Sequence, residues 1–288
     1  MTSSKKLTFA DETLINAGLA ISSEDAATAG AVGFMARALV QATLPHKKVE
    51  GNEFTRTNGS YTLSIMAPSK IGLPYGTIPR LLLAYVTREA VRTNSRVIEL
   101  GESMAAFMRQ LGLIRAGGPR GDITRLKDQT RRLFTSTVSL TYEGPGRMTD
   151  MGFRLADRID MWWHAQDPEQ DDQWHSTITL TEPFFREVVE GPVPIDMRAL
   201  TALKRSPMAL DTYIWLTYRY SYLTRPTAIP WSTLAAQFGA DYSRERDFKA
   251  AFKDELHKVL TVYPDAQVEE SSSGLVLKPS PPHVGKVR

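Results

Sequence analysis

The sequence contains no cysteine among its 288 residues. This absence excludes a disulfide framework, a cysteine nucleophile, a zinc finger and an iron–sulfur cluster. It is compatible with a reducing compartment, and we expect a cytoplasmic protein. Long apolar runs are also missing, because the longest, Leu81–Val86, is far shorter than the about 20 residues of a membrane-spanning helix. Asp11 and Glu12 interrupt any secretory signal near the start of the sequence.

Catalytic signatures are scarce as well. The sequence has no G-x-x-x-x-G-K-[ST] motif, which argues against Walker-type ATP hydrolysis. None of its five histidines forms an H-x-H or H-E-x-x-H pair, which argues against a zinc enzyme and a rolling-circle nicking enzyme. His164 and His175 flank an acidic loop, which we interpret as a solvated hairpin tip. The alternative is a metal site in which the two histidines meet beside that loop. The acids of that loop are Asp167, Glu169, Asp171 and Asp172. We predict no enzyme, no cofactor and no metal.

An excess of charge of one sign is also missing. The chain has 35 Lys and Arg against 32 Asp and Glu, a net charge of +3, which neither proves nor excludes a nucleic-acid partner. The distribution is more informative, since residues 115–132 hold six basic and two acidic side chains, a local charge of +4. The length suggests two domains at about 150 residues each.

The start of the chain combines a helical pattern with a hairpin pattern. Ser22 and Asp25 have the spacing of a capping box, and apolar residues then recur at helical spacing up to Leu44, which predicts a helix over this stretch. Asn58-Gly59 lies between two alternating stretches. This pair predicts a hairpin in which both turn residues have φ > 0.

One order of elements occurs twice in the rest of the chain: a long helix, a short strand, two helices separated by a turn, and a pair of strands. This order is typical of a winged helix, a variant of the helix-turn-helix. Local similarity supports the repeat, because Ser103–Ala106 parallels Thr233–Ala236. The predicted helices cover about 77–92, 102–111 and 122–135 in the first copy, and about 207–223, 232–238 and 244–260 in the second.

We therefore predict an α+β fold with tandem winged-helix (helix-turn-helix) domains after an N-terminal helical segment. The predicted boundaries are 1–47 for the N-terminal segment, 48–190 for the first winged-helix domain, 191–280 for the second and 281–288 for a flexible tail. The Gly/Pro-rich stretch Gly191–Pro194 is interpreted as the linker between the two domains.

The helix over 122–135 has an apolar face and an opposite face rich in arginine, which suits a recognition helix in the major groove. Arginine can bond guanine bidentately, and arginine or lysine can neutralise phosphate. A solvated helix face is the alternative, but the helix-turn-helix context favours DNA. The helix over 244–260 has a weaker basic face, and the predicted wing of the first copy carries Arg147, Arg154 and Arg158. The predicted DNA-binding residues are Arg120, Thr124, Arg125, Lys127, Asp128, Arg131, Arg132, Arg147, Arg244, Arg246, Asp247, Lys249 and Lys253.

Tyrosine and tryptophan are numerous in this sequence. Their spacing predicts core positions rather than a platform on which bases stack. The residues concerned are Trp162, Trp163, Tyr213, Trp215, Tyr218 and Tyr220.

Seven stretches are distinctive enough to compare with known families: Gly72–Tyr85, Thr87–Arg96, Pro192–Asp211, Tyr213–Thr217, Trp231–Gly239, Arg246–Lys249 and Val262–Pro264. They resemble the plasmid-encoded RepA replication protein family. The resemblance implies a tandem winged-helix initiator in the bacterial cytoplasm that binds repeated sites (iterons) at a plasmid origin. It also implies that the protein helps to melt the duplex, recruits host factors such as the initiator DnaA and the helicase DnaB, and represses its own promoter. Dimer–monomer exchange often separates these roles in such proteins.

The predicted function is sequence-specific binding of double-stranded DNA at a plasmid origin. Two recognition helices would enter successive major grooves about 34 Å apart. A transcriptional repressor without a role in initiation is the alternative, because its DNA contacts could be identical. A DNA-processing enzyme is a third class, against which the missing motifs argue. The N-terminal helix and the Asn58-Gly59 hairpin are candidates for self-association or partner docking.

Overall fold

The computed structural model describes residues 8–41, 43–161, 175–239 and 242–285. The helices are α1 Phe9–Ser23, α2 Arg37–Gln41, α3 Thr77–Thr93, α4 Met104–Gln110, α5 Asp122–Thr135, α6 Glu182–Glu190, α7 Met197–Leu203, α8 Pro207–Tyr220, α9 Trp231–Phe238 and α10 Glu245–Val262. The strands are β1 Val32–Ala36, β2 Glu53–Asn58, β3 Tyr61–Met66, β4 Val97–Glu99, β5 Thr137–Gly144, β6 Arg147–Arg154, β7 Ala156–Asp160, β8 Thr177–Leu180, β9 Pro192–Asp196, β10 Thr227–Pro230, β11 Val268–Glu270 and β12 Gly274–Leu277. Along these ranges, no helix combines the length and apolar character that crossing a membrane requires.

The mixed α/β architecture contains one arrangement twice. The predicted order of elements is confirmed in the second copy, whereas in the first copy two further strands, β5 and β6, come between the third helix and the last strand pair. The first copy runs α3, β4, α4, α5, β7, β8, and the second runs α8, β10, α9, α10, β11, β12. Each copy has a three-stranded antiparallel sheet in which the last strand lies in the middle, in the orders β4-β8-β7 and β10-β12-β11. The first copy also contributes β5 and β6 to a separate four-stranded sheet of order β2-β3-β5-β6.

The two long helices α3 and α8 form the centre of the hydrophobic core. Leu82, Leu83, Ala84 and Val86 follow one another around α3, and each is at most 1% exposed. A helix that is buried on nearly all sides needs apolar residues all round, which these stretches provide. Both helices were predicted because their apolar residues recur at helical spacing, and the prediction is confirmed.

The predicted Asn58-Gly59 hairpin is confirmed as β2 and β3, but its turn lies one residue later. Asn58 pairs with Tyr61, so Gly59 and Ser60 are the central turn residues. Gly59 has a φ of +59°, a conformation that costs glycine little because it has no Cβ. The prediction of φ > 0 at Asn58 is wrong, since Asn58 is still part of the strand.

The predicted helix over 22–44 is wrong except at Arg37–Gln41, which forms the short helix α2. The capping box of the N-terminal helix lies earlier, at Thr8 and Asp11, and α1 ends at Ser23. The Asp25 carboxylate instead accepts hydrogen bonds from the backbone N–H groups of Ala27 and Thr28 and closes a turn. Val32–Ala36 becomes strand β1 because a distant strand is available to pair with it, and such pairing overrides local propensity.

The interpretation of Gly191–Pro194 as a linker is also wrong. Pro192–Asp196 forms β9, which pairs antiparallel with β1 from Val32↔Asp196 to Ala36↔Pro192. The pair is a two-stranded sheet, so each strand keeps a free edge on which a proline without an N–H is tolerated. This sheet joins the start of the chain to the entrance of the second copy.

The proline-rich tail is packed rather than loose up to Val284, which is 7% exposed. His283 Nδ1 lies 2.7 Å from the Tyr213 hydroxyl, and its ring lies 4.5 Å from the ring of Tyr263. The Tyr263 hydroxyl donates to the Pro281 carbonyl at 2.5 Å. The prediction of a loose tail is therefore wrong at these residues.

A buried polar cluster joins the two central helices. Arg80 of α3 donates from Nε and Nη2 to the two carboxylate oxygens of Asp211 of α8, both at 2.6 Å. His46 Nε2 lies 2.8 Å from Asp211 Oδ2. Burial alone raises the pKa of Asp211, but the charge of Arg80 and the hydrogen bonds from His46 and Arg80 outweigh it, so this pKa lies below its usual value. Arg80 also donates to the Leu44 and Gly76 carbonyls, at 2.8 and 2.6 Å.

Two buried histidines should make the free energy of unfolding fall as the pH becomes mildly acidic. Burial lowers the pKa of His46 and of His283 below the ordinary value of 6.5. Each therefore binds fewer protons in the folded state than in the unfolded chain as the pH falls towards and below 6.5. We expect the free energy of unfolding to fall between pH 7.5 and 5.5 by up to about 1.4 kcal/mol per pH unit for each histidine. Urea titrations at several pH values measure it, with His257→Gln as the control because His257 is exposed. Equal free energies at both pH values would contradict the prediction.

Candidate DNA-binding surface

Helix α5 has two clearly different faces, as its residue spacing predicts. Leu126 and Phe134 are both 0% exposed and hold the helix in the core, next to α3. Arg125, Lys127 and Arg131 are exposed on the opposite side. The sequence therefore places the basic residues outward because the apolar residues of the same helix are needed inside.

The loop 112–121 folds over the beginning of α5. A Cβ at Gly121 would approach the Ala116 carbonyl oxygen to 2.2 Å, so only glycine fits there. The Thr124 hydroxyl donates to the Gly118 carbonyl at 2.8 Å. Thr124, a predicted DNA-binding residue, therefore uses its proton within the protein and keeps only its oxygen lone pairs for a further partner.

Arg132 was predicted to face outward with the other basic residues, but it is held within the protein. Its side chain is 16% exposed, and its Nε donates to Asp128 Oδ2 at 2.8 Å. Its Nη1 donates to the Leu73 carbonyl at 3.3 Å, and the guanidinium lies 5.7 Å from the ring centre of Tyr75. Arg132 thus ties α5 to the segment before α3, and Asp128 serves as its counterion.

The other basic residues near α5 have more freedom. Arg125 is 52% exposed and lies 3.0 Å from Asp122. Arg120 and Arg131 are exposed, and within the described ranges neither has a hydrogen-bond or ion-pair partner. Exposed guanidinium groups without a carboxylate partner are free to bind phosphate or a guanine edge. Arg120 and Arg131, together with Arg125, which pairs with Asp122, and the exposed Lys127, form a surface that is called the α5 basic face below.

Arg147 lies apart from the strand pair that corresponds to β11–β12. It opens β6 and faces Gly144 across the turn of the β5–β6 hairpin, in the four-stranded sheet. Its Nε donates to the Thr149 hydroxyl at 3.3 Å. The corresponding strand pair of the first copy is β7–β8, which carries Arg158 next to Asp160. Arg147 is therefore not on the hairpin where the sequence pattern placed it.

The start of α10 is the most exposed basic part of the second copy. Arg244 and Arg246 are 67% and 82% exposed. Arg244 Nε lies 2.7 Å from Asp247 Oδ2, and Arg246 Nε lies 3.7 Å from Asp247 Oδ1. Both guanidinium groups share one carboxylate, so a positive charge remains at this end of the helix.

The middle of α10 is more neutral than its sequence suggests. Lys249 Nζ lies 2.6 Å from Glu245, and Lys253 Nζ lies 2.9 Å from Glu270 of β11. The two ammonium groups lie 5.8 and 5.5 Å from the ring centre of Trp231, which is 2% exposed. These lysines therefore link α10 to its own sheet and cover an aromatic ring, which reduces the charge they offer to DNA.

The alternative metal site predicted between His164 and His175 cannot be located, because residues 162–174, with His164 and its acidic neighbours Asp167, Glu169, Asp171 and Asp172, lie outside the described residues. Among the residues that the structure does describe, no three potential metal ligands (His, Asp or Glu) come together.

Comparisons with known proteins agree with this architecture. The chain is similar to domains 2 and 3 of RctB in two crystal structures, one of a selenomethionine derivative and one of residues 155–483. The TM-scores are 0.55 and 0.52 at 12% and 11% identity, and the matches cover 82% and 84% of this chain and 94% and 96% of those chains. No curated protein matches the sequence. A family model described as plasmid encoded RepA protein matches residues 73–231, more than half of the chain. The chain therefore belongs to the plasmid-encoded RepA family, the replication initiator family that its sequence resembles.

Proposed function

We propose that this protein initiates plasmid replication by binding repeated double-stranded sites (iterons) at the origin with two winged-helix modules. The observation that carries the proposal is the repeated arrangement of three helices and a three-stranded sheet, in which the third helix exposes basic residues in both copies. In helix-turn-helix proteins this is the helix that enters the major groove. Membership of the RepA family supports the role at an origin.

In this proposal the two modules divide the contacts unequally. Helix α5 reads bases through Arg125 and Arg131, since these side chains are exposed at one face. Helix α10 contacts the next major groove, about 34 Å away, through Arg244 and Arg246 at its beginning. Lys249 and Lys253 have internal partners, so they contribute less than the sequence suggests. Lys127, together with Arg120, Arg147, Thr124 and Asp247, adds phosphate or supporting contacts.

Origin opening follows from several copies bound side by side, whose combined binding energy strains an adjacent A·T-rich segment. The host initiator DnaA and the helicase DnaB are the proposed partners in the steps that follow. We propose that the protein itself has no catalytic role. ATPase or nicking activity of the purified protein would contradict that part of the proposal.

Footprinting tests the DNA-binding mode directly. The proposal expects tandem repeats of about 20 bp, two helical turns each, in the DNA beside the gene. Hydroxyl-radical cleavage of a fragment with such repeats should show two protected stretches per repeat, separated by about one helical turn of 10–10.5 bp. The expected result is protection on one face of the duplex that disappears when the repeats are scrambled. Equal affinity for scrambled DNA, or a single protected stretch, would contradict the proposed pair of modules.

The second candidate is a transcriptional repressor without an initiation role. A plasmid that carries only this gene and its flanking DNA separates the two functions. We expect it to replicate in a suitable host and to be lost when the gene is disrupted. Normal repression of the promoter without replication of the plasmid would favour the repressor.

We also propose that self-association uses the outer face of α1. Phe9 and Leu19 are 81% and 66% exposed on this helix, and Ile15 is 38% exposed. Removing residues 1–47 would also remove β1, so substitution is the cleaner test. Phe9→Ser with Leu19→Ser should lower the mass in solution, and an unchanged mass would remove α1 from this role.

A further inference from the structure

A groove of about 650 Å³ runs between the β5–β6 hairpin and the helices α2, α6 and α8. It lies beside the four-stranded sheet and is distinct from the α5 basic face. Its walls combine aromatic rings, arginines and hydroxyl groups. The aromatic rings are those of Tyr61, Tyr142 and Tyr218, the arginines are Arg37 and Arg147, and the hydroxyl groups include that of Thr149.

The aromatic wall is formed by two tyrosines on neighbouring strands. Tyr61 of β3 and Tyr142 of β5 are directly opposite each other in the sheet, with ring centres 4.9 Å apart. Tyr61 is 40% exposed, and Tyr142 is half-buried. Tyr218 of α8 also lines the groove and is half-buried, whereas Tyr213 and Tyr220 are buried in the core as the sequence predicts. A tyrosine that is half exposed offers a ring face to a ligand without leaving the core.

Two arginines stand at the rim of the same groove. Arg37 begins α2, is exposed, and has no hydrogen bond or ion pair to the part of the chain that the structure describes. Arg147 is exposed on the opposite rim, and its only described contact of this kind is with the neutral Thr149. Glu187 is the acidic side chain among the lining residues, and its Oε1 accepts the backbone N–H of Ala38 at 3.0 Å. The rim therefore keeps a net positive charge.

Flat rings beside unpaired arginines are the chemistry that recognises unstacked bases on a phosphodiester chain. The tyrosine rings can stack on bases of any sequence, and the arginines can neutralise phosphates on either side. We propose that this groove binds single-stranded DNA, such as the strand released when the duplex opens. The choice of DNA as the polynucleotide rests on the proposed function, whereas the preference for a single strand rests on the groove itself.

A duplex fits this site less well than a single strand. In a duplex the base faces are stacked on one another and are not available to a tyrosine ring, whereas every base of a single strand has a free face. The groove thus adds a binding activity that neither α5 nor α10 supplies, because major-groove helices read the edges of paired bases.

The test compares two ligands on the same variants. Fluorescence anisotropy measures the affinity for a labelled oligodeoxynucleotide of about 12 nucleotides, a length in the range that single-strand binding modules cover, and for the duplex repeat. Tyr61→Ala with Tyr142→Ala should weaken single-strand binding by about 5- to 150-fold for each base that stacks on these rings and leave duplex binding unchanged. Tyr142→Phe, which keeps the ring, should behave like the unmodified protein.

The charged rim is tested by the salt dependence of the same binding. Arg37→Ala with Arg147→Ala should reduce the slope of log K against log salt by about 1.4, since each phosphate contact to a single strand contributes about 0.7. Arg186→Ala is the matched control, because its side chain is exposed and does not line the groove. This control should not change the affinity.

Several results would overturn the proposal. Unchanged single-strand affinity in the double tyrosine variant, with circular dichroism showing a folded protein, would remove the groove as the site. Equal or tighter binding of RNA of the same sequence would show that DNA is not the ligand of the groove. Full competition by a free mononucleotide would show that the groove is a nucleotide pocket. If the unmodified protein binds the single strand but not the duplex repeat, the proposed function is contradicted and the proposal for the groove still holds.

Discussion

Asp211→Ala should lower the free energy of unfolding by about 3–5 kcal/mol, because it removes one partner of a buried ion pair and leaves the other without a counterion. Arg80 is 2% exposed, so its guanidinium would stay buried without a carboxylate partner. His46 loses its partner in the same change. Equilibrium urea denaturation measures the difference, and a loss below about 1 kcal/mol would contradict this account of the cluster.

Two further variants separate loss of the ion pair from loss of packing. Asp254→Ala is the matched control: Asp254 is exposed, so its removal should change the free energy of unfolding by no more than about 0.5 kcal/mol. Asp211→Leu with Arg80→Met replaces both charges by apolar groups and should recover most of the lost stability. If this double variant is as unstable as Asp211→Ala, the uncompensated charge of Arg80 is not the cause.

Arg125→Ala with Arg131→Ala should have the largest effect on duplex binding. Each arginine that bonds a base edge bidentately contributes about 1–3 kcal/mol of discrimination. Together the two substitutions should weaken binding to the repeat by about 2–6 kcal/mol. If the arginines contact phosphates instead, the slope of log K against log salt should fall by about 1.8 and binding to unrelated DNA should weaken equally. Titrations at several salt concentrations, with specific and unrelated duplexes, distinguish these modes.

Arg132→Ala is the informative control for this experiment. It lies on the same helix, but its guanidinium bonds Asp128 and the Leu73 carbonyl. We expect it to lower the free energy of unfolding, since these contacts attach α5 to the core, and to leave the salt slope of duplex binding unchanged. If Arg132→Ala reduced the salt slope while Arg125→Ala with Arg131→Ala did not, the assignment of the α5 basic face would be wrong.

The elements that could be predicted from the sequence are those whose signal is local. Helices α3, α5, α8 and α10 carry apolar residues at helical spacing, and the hairpin carries Asn58-Gly59. Strands β1 and β9 escaped prediction because neither has a strand pattern of its own: β9 contains two prolines, and β1 follows an Ala/Gly-rich stretch. Each becomes a strand only because the other is present.

The candidate site shows the same division. That Arg125 and Arg131 face outward follows from the helical spacing of their neighbours. The contact of Arg132 with the Leu73 carbonyl and that of Lys253 with Glu270 do not follow from this spacing, because these partners are distant in the sequence. The tyrosine groove was missed for a similar reason, since Tyr61 and Tyr142 meet only when β3 pairs with β5. The sequence near a residue predicts which face of its helix the side chain occupies. It does not predict which side chains from other parts of the chain will lie next to it.

The pairing of β1 with β9 has a consequence for how the protein is made. The two strands lie about 160 residues apart in the chain, so at translation rates of roughly 5–20 residues per second the first strand leaves the ribosome about 8–30 s before its partner. During that interval the nascent chain carries an apolar segment, Val32–Ala36, that has no strand to pair with. Such a segment is prone to associate with other chains. The yield of soluble protein should therefore depend on chaperones that bind the nascent chain and on the speed of synthesis.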